Sequence, residues 1–268
     1  MCIRDRYLSS RSVILSGHSK WSTIKHGKAV TDARRGQLFT KLAKEIIIAS
    51  KVGGGDPEMN FRLRIAVQRA KDNNMPAANI DRAIKKGTGN SDESDQMIEC
   101  TYEGYGPGGV GILLNALTDN KNRTVSDVRS TFTKMGGNLA QSGAVSWQFE
   151  QKGVISVTEQ KDSLEEITLI SIDAGADDVE NIDESTLNIY SELSEIEPII
   201  NRLKEIDVKI NSTEIDMIAT NTIYLDDKSA LQTLRLLDRL EELEDVQKVF
   251  SNADFSDDIF DKYGQGSN

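Results

Sequence analysis

Two cysteines and two histidines among 268 residues leave the chain short of the side chains on which most metal and nucleophilic chemistry depends. Cys2 and Cys100 are too few for a disulfide framework or a cysteine-based zinc site, and their scarcity fits a reducing compartment. His18 and His26 do not have the spacing of a helical two-histidine metal pair, and no HExxH sequence occurs. Neither lies near a G-x-S-x-G elbow, which disfavours a hydrolase. No apolar run approaches the length of a membrane span, and the N-terminus lacks the apolar core of a secretory signal. The carboxylate pairs Asp177-Asp178 and Asp257-Asp258 sit in polar stretches and read as solvated charge. These absences lead us to expect a cytoplasmic protein that is not an enzyme. We expect no catalytic residue, no cofactor, no metal, no membrane partner and no small-molecule substrate.

What the chain does have is charge, unevenly spread. Its formal net charge of −11, taken alone, argues against nucleic acid. Yet Met1–Asn90 carries 18 Lys+Arg against 7 Asp+Glu, a net of +11, which leaves the remainder at −22. Opposed halves suggest a basic contact surface carried on acidic domains that repel stray polyanions. The competing reading is a solvated face and nothing more.

Hydrophobic spacing organises the basic third into three helices. From about Gly27 to Lys51, Leu38, Leu42 and Ile46 recur every four residues, with Phe39, Ala43 and Ile47 beside them, and Gly53-Gly54-Gly55 ends the run. Asp56-Pro57-Glu58 reads as the start of a second helix, continuing through Leu63, Ala66, Val67 and Ala70 to Asn73. Pro76 and Gly87 bracket a third, with Ile80, Ala83 and Ile84 inward and Arg82, Lys85 and Lys86 outward.

After the polar stretch Thr88–Gln96 the period becomes that of strands. Ile98–Tyr105 and Val110–Thr118 read as a hairpin across Gly-Pro-Gly-Gly. The same glycines could cradle a phosphate, but the following apolar run and the missing Gly-Lys-Ser/Thr argue against it. Tyr102 and Tyr105 are read as sharing one strand face, buried in a core or an interface. Thr124–Met135 reads as a helix and Ala144–Glu150 as a strand. From Val154 a strand, the helix Leu164–Ala174, a strand pair near Val179–Glu192, the helix Glu195–Ile206 and the strand Val208–Asn211 follow. That β-α-β-β-α-β order is a ferredoxin-like signature. Thr222–Leu225, Ala230–Leu243 and Val246–Ser251 are too few for a core of their own and are expected to complete the sheet begun at Ile98.

The fold class is therefore α+β: an N-terminal three-helix domain followed by two α+β domains, the ferredoxin-like one inserted into the other. Residues 1–16 read as an extension, disordered or non-native, and 17–93 as the basic helical domain. Residues 94–152 with 221–255 make the middle domain, 153–220 the ferredoxin-like insertion, and 256–268 a tail.

Within the basic domain, Gly17–Lys28 interleaves cations, imidazoles and an indole, and its glycines stand at both ends. Phosphates reward mobile cations, and unpaired nucleotides reward a flat ring. The candidate nucleic-acid-binding set is His18, Lys20, Trp21, Lys25, His26, Lys28, Arg34, Arg35, Lys41, Lys44, Arg62, Arg64, Arg69, Lys85 and Lys86. The partner would be DNA or ribosomal RNA, with the ribosome as a further candidate. Arg62, Arg64 and Arg69 form no obvious row for reading a major groove, so recognition by shape and stacking suits the sequence better. A protein-interaction scaffold, its basic domain docked on the acidic ones, is the second class of function.

Several segments resemble the YebC/PmpR family: Gly17-His18-Ser19-Lys20-Trp21, Ile24-Lys25-His26, the run Gly36–Ile46, Gly53-Gly54-Gly55-Asp56-Pro57 and Asn74-Met75-Pro76. Ile84–Gly89, Tyr102–Gly109, Asn120–Thr124 and Met135–Leu139 continue the likeness, which is densest before Glu150. The resemblance implies three domains, one α+β unit inserted into another, and a regulatory role. Bacterial members are described as DNA-binding transcriptional regulators; others, including the mitochondrial translational activator of cytochrome c oxidase, act on translation at the ribosome. Met1–Leu15 departs from the family pattern, and it sets His18 at a distance from the start.

Overall fold

Asn60 shows how local chemistry shapes the helical domain. Its side-chain oxygen accepts the N–H of Leu63 at 3.1 Å, while its amide nitrogen donates to the carbonyls of Ala49 and Gly54, both at 2.8 Å. One buried side chain thus caps one helix and ties it to the end of another. Loss of the cap alone would cost about 1–2 kcal/mol. The computed structural model describes residues 32–89, 97–159 and 163–265. The extension 1–16 and the segment Gly17–Lys28 lie outside them.

The helical domain comprises α1 (Asp32–Gly53), α2 (Phe61–Asp72) and α3 (Ala77–Thr88). Leu42, Ile46, Leu63, Ala66, Ala70, Ile80 and Ala83 form its buried core, the spacing read from the sequence. Two details differ. Asp56–Glu58 does not begin α2; Asp56 organises a turn, its carboxylate accepting the N–H of Glu58 at 3.0 Å, and the helix waits for Asn60. Gly87 does not end α3 but lies within it. A Cβ there would stand 2.4 Å from the carbonyl oxygen of Ile47, so glycine is what lets α3 press against α1.

The rest of the chain runs β1 (Ile98–Tyr105), β2 (Gly111–Thr118), α4 (Lys121–Lys134), β3 (Asn138–Leu139), β4 (Phe149–Thr158), α5 (Leu164–Asp173), β5 (Asp178–Asn181) and β6 (Thr186–Ser191). Then come α6 (Ile196–Glu205), β7 (Lys209–Ala219), β8 (Ile223–Tyr224), α7 (Asp227–Glu241), β9 (Val246–Ser251), β10 (Ala253–Asp254) and α8 (Asp257–Gln265). The first sheet has the order β3-β1-β2-β9, all antiparallel. Helices α4, α7 and α8 cover one face, where Phe132, Ile112, Leu114, Leu234 and Leu237 are buried. The second sheet, β5-β6-β4-β7, is antiparallel with the strand order of a ferredoxin-like unit, and α5 and α6 supply its core through Ile167, Ile196, Ile199 and Leu203. The architecture is α+β.

Several expectations are corrected. The strands placed at Ala144–Glu150 and Val154–Thr158 are one strand, β4, preceded by a short 3-10 turn at Ser146–Gln148. Its partner β7 continues to Ala219, far beyond Asn211, because Phe149↔Ala219 to Thr158↔Lys209 pair along their whole length. Of the three late elements only β9 joins the first sheet with β2; β8 pairs in parallel with β10 in a separate two-stranded sheet. The expected tail carries α8, whose Ile259 is buried in the core beside α7. Tyr102 and Tyr105, three residues apart, lie on opposite faces of β1, as an odd separation requires: Tyr102 packs under the helices, Tyr105 against Leu113 and Phe250. Among the described residues no helix is long and apolar enough to cross a membrane.

Candidate nucleic-acid interface

The candidate residues that are described do not form one surface. His18, Lys20, Trp21, Lys25, His26 and Lys28 lie outside the described residues, and Arg34 sits on α1 with its side chain likewise outside them. Of the others, five turn toward the acidic domains. Lys41 Nζ donates to the carbonyl of Glu241, at the end of α7, at 2.5 Å. Lys44, one turn on along α1, donates to Asp245 Oδ1 at 2.9 Å.

Asp245 is the anchor of that joint. It is buried in the link from α7 to β9, and its second oxygen accepts from Arg123 at 2.8 Å, Thr124 Oγ1 at 2.8 Å and Thr118 Oγ1 at 3.1 Å. Burial alone would raise its pKa. The hydrogen bonds from Arg123, Lys44 and Thr124 outweigh that and hold the carboxyl at about 2. A cleft of about 420 Å³ opens beside it, lined by Gly36, Gln37, Thr40, Lys41, Glu242 and Glu244. Its two carboxylates make it a poor place for a phosphate.

Helix α2 docks in the same manner. Arg62 grips both oxygens of Glu99 on β1 at 2.9 and 3.1 Å, and Arg64 pairs with Glu197 of α6. Arg69 enters a cluster built from all three domains. Its Nη1 donates to Glu45 of α1 at 3.1 Å, and its Nε lies 3.4 Å from Glu214 of β7. Lys248 of β9 reaches the same Glu214 at 2.6 Å, Asp216 at 2.5 Å and the carbonyl of Ile215 at 3.1 Å. Burial would lower the pKa of both cations, but the surrounding carboxylates reverse this and raise both. Lys41, Lys44, Arg62, Arg64 and Arg69 of α1 and α2 therefore hold the domains together.

Helix α3 is different. Ala78, Arg82 and Lys85 share one exposed face at helical spacing, with Asp81 beside them, and Lys86 is half-buried at its edge. Arg35, at the exposed start of α1, is likewise turned to solvent. Arg82 was legible as an outward residue of the third helix but does not belong to the candidate set, because its signal is a single cation among many. Gly104–Gly109 makes the expected hairpin turn: Gly106 N–H bonds to Val110 O at 2.9 Å, and Gly108 and Gly109 adopt φ of 75° and 81°. Among the described residues no group of three His, Cys, Asp or Glu side chains is placed to hold a metal.

The sequence profile of the TACO1/YebC protein N-terminal domain matches residues 19–90, and that of the TACO1/YebC second and third domain matches residues 97–253. The chain belongs to the TACO1/YebC family. A protein of Dehalococcoides mccartyi named probable transcriptional regulatory protein is 56% identical over 249 residues, covering 93% of this chain and 98% of its own. One of the same name from Chloroflexus aggregans is 52% identical over 252 residues, covering 93% and 99%. The crystal structure of a conserved hypothetical protein from Aquifex aeolicus superposes with a TM-score of 0.81 at 45% identity, covering 88% of this chain and 97% of that one. The resemblance read from the sequence motifs is therefore correct, and the α+β fold has a solved counterpart.

Proposed function

We propose that this TACO1/YebC protein is a non-catalytic regulator of gene expression that acts in the cytoplasm and binds nucleic acid through its helical domain. The observation that carries the reading is the division of cations within that domain. Lys41, Lys44, Arg62, Arg64 and Arg69 are engaged by the other domains, whereas Arg35, Arg82 and Lys85 face solvent. The small side chains of Ala77 and Ala78 lie exposed in the first turn of α3, which lets a phosphate backbone approach closely. The segment Gly17–Lys28 would extend the contact with further cations and Trp21. Relatives named probable transcriptional regulatory proteins support the regulatory role.

The exposed face of α3 offers two cations and no row of base-reading side chains, which favours structured RNA or the ribosome over a major groove. The scaffold reading draws support from the docking of α1 and α2 on acidic partners, and it separates from the first by one experiment. Charge reversal of Arg82 and Lys85 in the full chain should weaken binding to a ribosomal RNA fragment and lower the salt slope by about one per lost phosphate contact. The control is Arg235→Glu, an exposed cation on α7, which should leave both unchanged. Equal losses in the two variants, or binding without salt dependence, would refute the proposal. A tighter complex with duplex DNA than with RNA would reverse the choice of nucleic acid.

A further inference from the structure

The strongest unexplained feature lies on the middle domain. Residues 135–149 contain no charged side chain in a chain that is 28% charged, and the neighbouring crossover 217–225 contains none either. The two segments are joined: Gln148 O accepts the N–H of Thr220 at 2.8 Å and its hydroxyl at 3.1 Å. Beneath the link from β3 to β4 lies Glu103, only 5% exposed. Its carboxylate accepts the N–H groups of Gly143 and Val145 at 2.7 Å each and of Ser146 at 2.9 Å. Burial would raise its pKa, but these amides outweigh that and hold it below the usual carboxylate range. Tyr105, on the same face of β1, donates to the carbonyl of Ala144 at 3.0 Å, and Val145 and Phe149 are buried with Leu113 and Phe250. The link is therefore pinned from below by a buried anion, a phenol and an apolar floor.

Out of this fixed link stands Trp147, 70% exposed. Its Nε1 donates to Ala144 O at 3.1 Å, so the indole's one polar group is satisfied internally and a partner meets ring carbon. We propose that Trp147 is a stacking platform for an unpaired nucleobase, a second contact of the nucleic-acid interface on a different domain from the first. This inference rests on the proposed binding of nucleic acid. A base suits the site because stacking needs only a π face, which every base has. Exposed Gln141, Ser142 and Asn221 supply neutral hydrogen-bonding groups for base edges. Neither uncharged segment brings a carboxylate to repel the attached phosphates, as most of this acidic surface would.

The test measures affinity with the parent chain and its Trp147 variants, and emission with the full chain carrying Trp21→Phe, so that Trp147 is the sole indole there. An adenosine RNA oligomer should quench its emission, and the same oligomer with abasic sites should not. Trp147→Ala should weaken binding of the adenosine oligomer about tenfold or more, with the salt slope unchanged, while Trp147→Phe stays within about threefold. Salt-dependent binding that neither quenches Trp147 nor weakens in Trp147→Ala overturns the platform and leaves the α3 surface standing. No salt-dependent binding to any oligomer overturns the nucleic-acid reading, and the platform with it. Thermal unfolding of Trp147→Ala close to that of the parent excludes misfolding as the cause of a loss.

Discussion

Asp245→Asn should remove a pH-dependent part of the chain's stability that can be sized in advance. Folding lowers this carboxyl from its ordinary 3.8 to about 2. At 1.36 kcal/mol for each tenfold change in proton affinity, that is about 2.5 kcal/mol of stability at neutral pH. The folded pKa is depressed, so the contribution is complete above the unfolded value and is lost as pH falls through the folded one. The working window therefore runs from about pH 4 down to about pH 2. Asparagine keeps the shape but turns two donors toward Arg123, Lys44 and Thr124, so the variant should lie about 2–3 kcal/mol below the parent at pH 7. The assay is urea unfolding of both proteins at a series of pH values, each pair compared by its midpoint and slope. Other carboxylates titrate in both chains and cancel in the difference. The gap should shrink toward zero near pH 2. A gap that stays constant through the window would show that Asp245 stabilises by shape and not by charge, and the reasoning would fail.

Two further outcomes follow from buried charge. Lys248→Met strips one cation from Glu214 and Asp216, groups about a quarter exposed, and should cost about 2–3 kcal/mol, or roughly 5–10 °C in Tm; adding Glu214→Gln and Asp216→Asn should recover most of the loss, and no recovery would mean the lysine acts through packing. Glu103→Gln leaves one acceptor oxygen for three N–H groups, so we expect a loss of about 2–4 kcal/mol and a shift in Trp147 emission in a Trp21→Phe background; an unchanged spectrum would show that the link keeps its form without the carboxylate.

The sequence carried the fold further than the site, and particular residues show why. Leu42, Ile46, Leu63, Ala66 and Ile80 announce their burial by helical spacing alone, since one helix face must find a core. The misplaced start of α2 has a tertiary cause. Asp56-Pro57-Glu58 has the local chemistry of a cap, but Asn60 also reaches Ala49 and Gly54, and no local pattern reveals those carbonyls. Gly87 reads as a stop until α1 is seen to pass within contact of it. The extended β4 and β7 were cut short because strand spacing does not show that two strands continue from one domain into the next. Charge was legible in amount and sign, but pairing was not: Arg62 meets Glu99 at 37 positions' separation, and Lys44 meets Asp245 at 201. Trp147 is not legible in the sequence, because the link that carries it is held by Glu103, more than forty residues earlier, and no local pattern shows that bond.

The pairing changes what the opposed charges of the chain mean. A net of +11 in the first ninety residues suggests a broad polyanion surface, yet much of it is matched inside the molecule. A phosphate that sought Lys44 would have to strip it from Asp245, forfeiting part of the stability that the bond gives the joint. A phosphate that sought Arg69 would leave Glu45 of one domain facing Glu214 and Asp216 of another, with Lys248 of the third alone among them. Neither exchange gains much, because a new ion pair at a half-open seam replaces a better shielded one. Binding that preserves the folded arrangement therefore draws, among the described residues, on cations the seams do not use, such as Arg35 and the Arg82–Lys85 face. Neutralising Lys44 should consequently loosen the joint before it weakens nucleic-acid binding, whereas reversing Arg82 should do the opposite. That order of effects separates a contact surface from a docking surface within one domain.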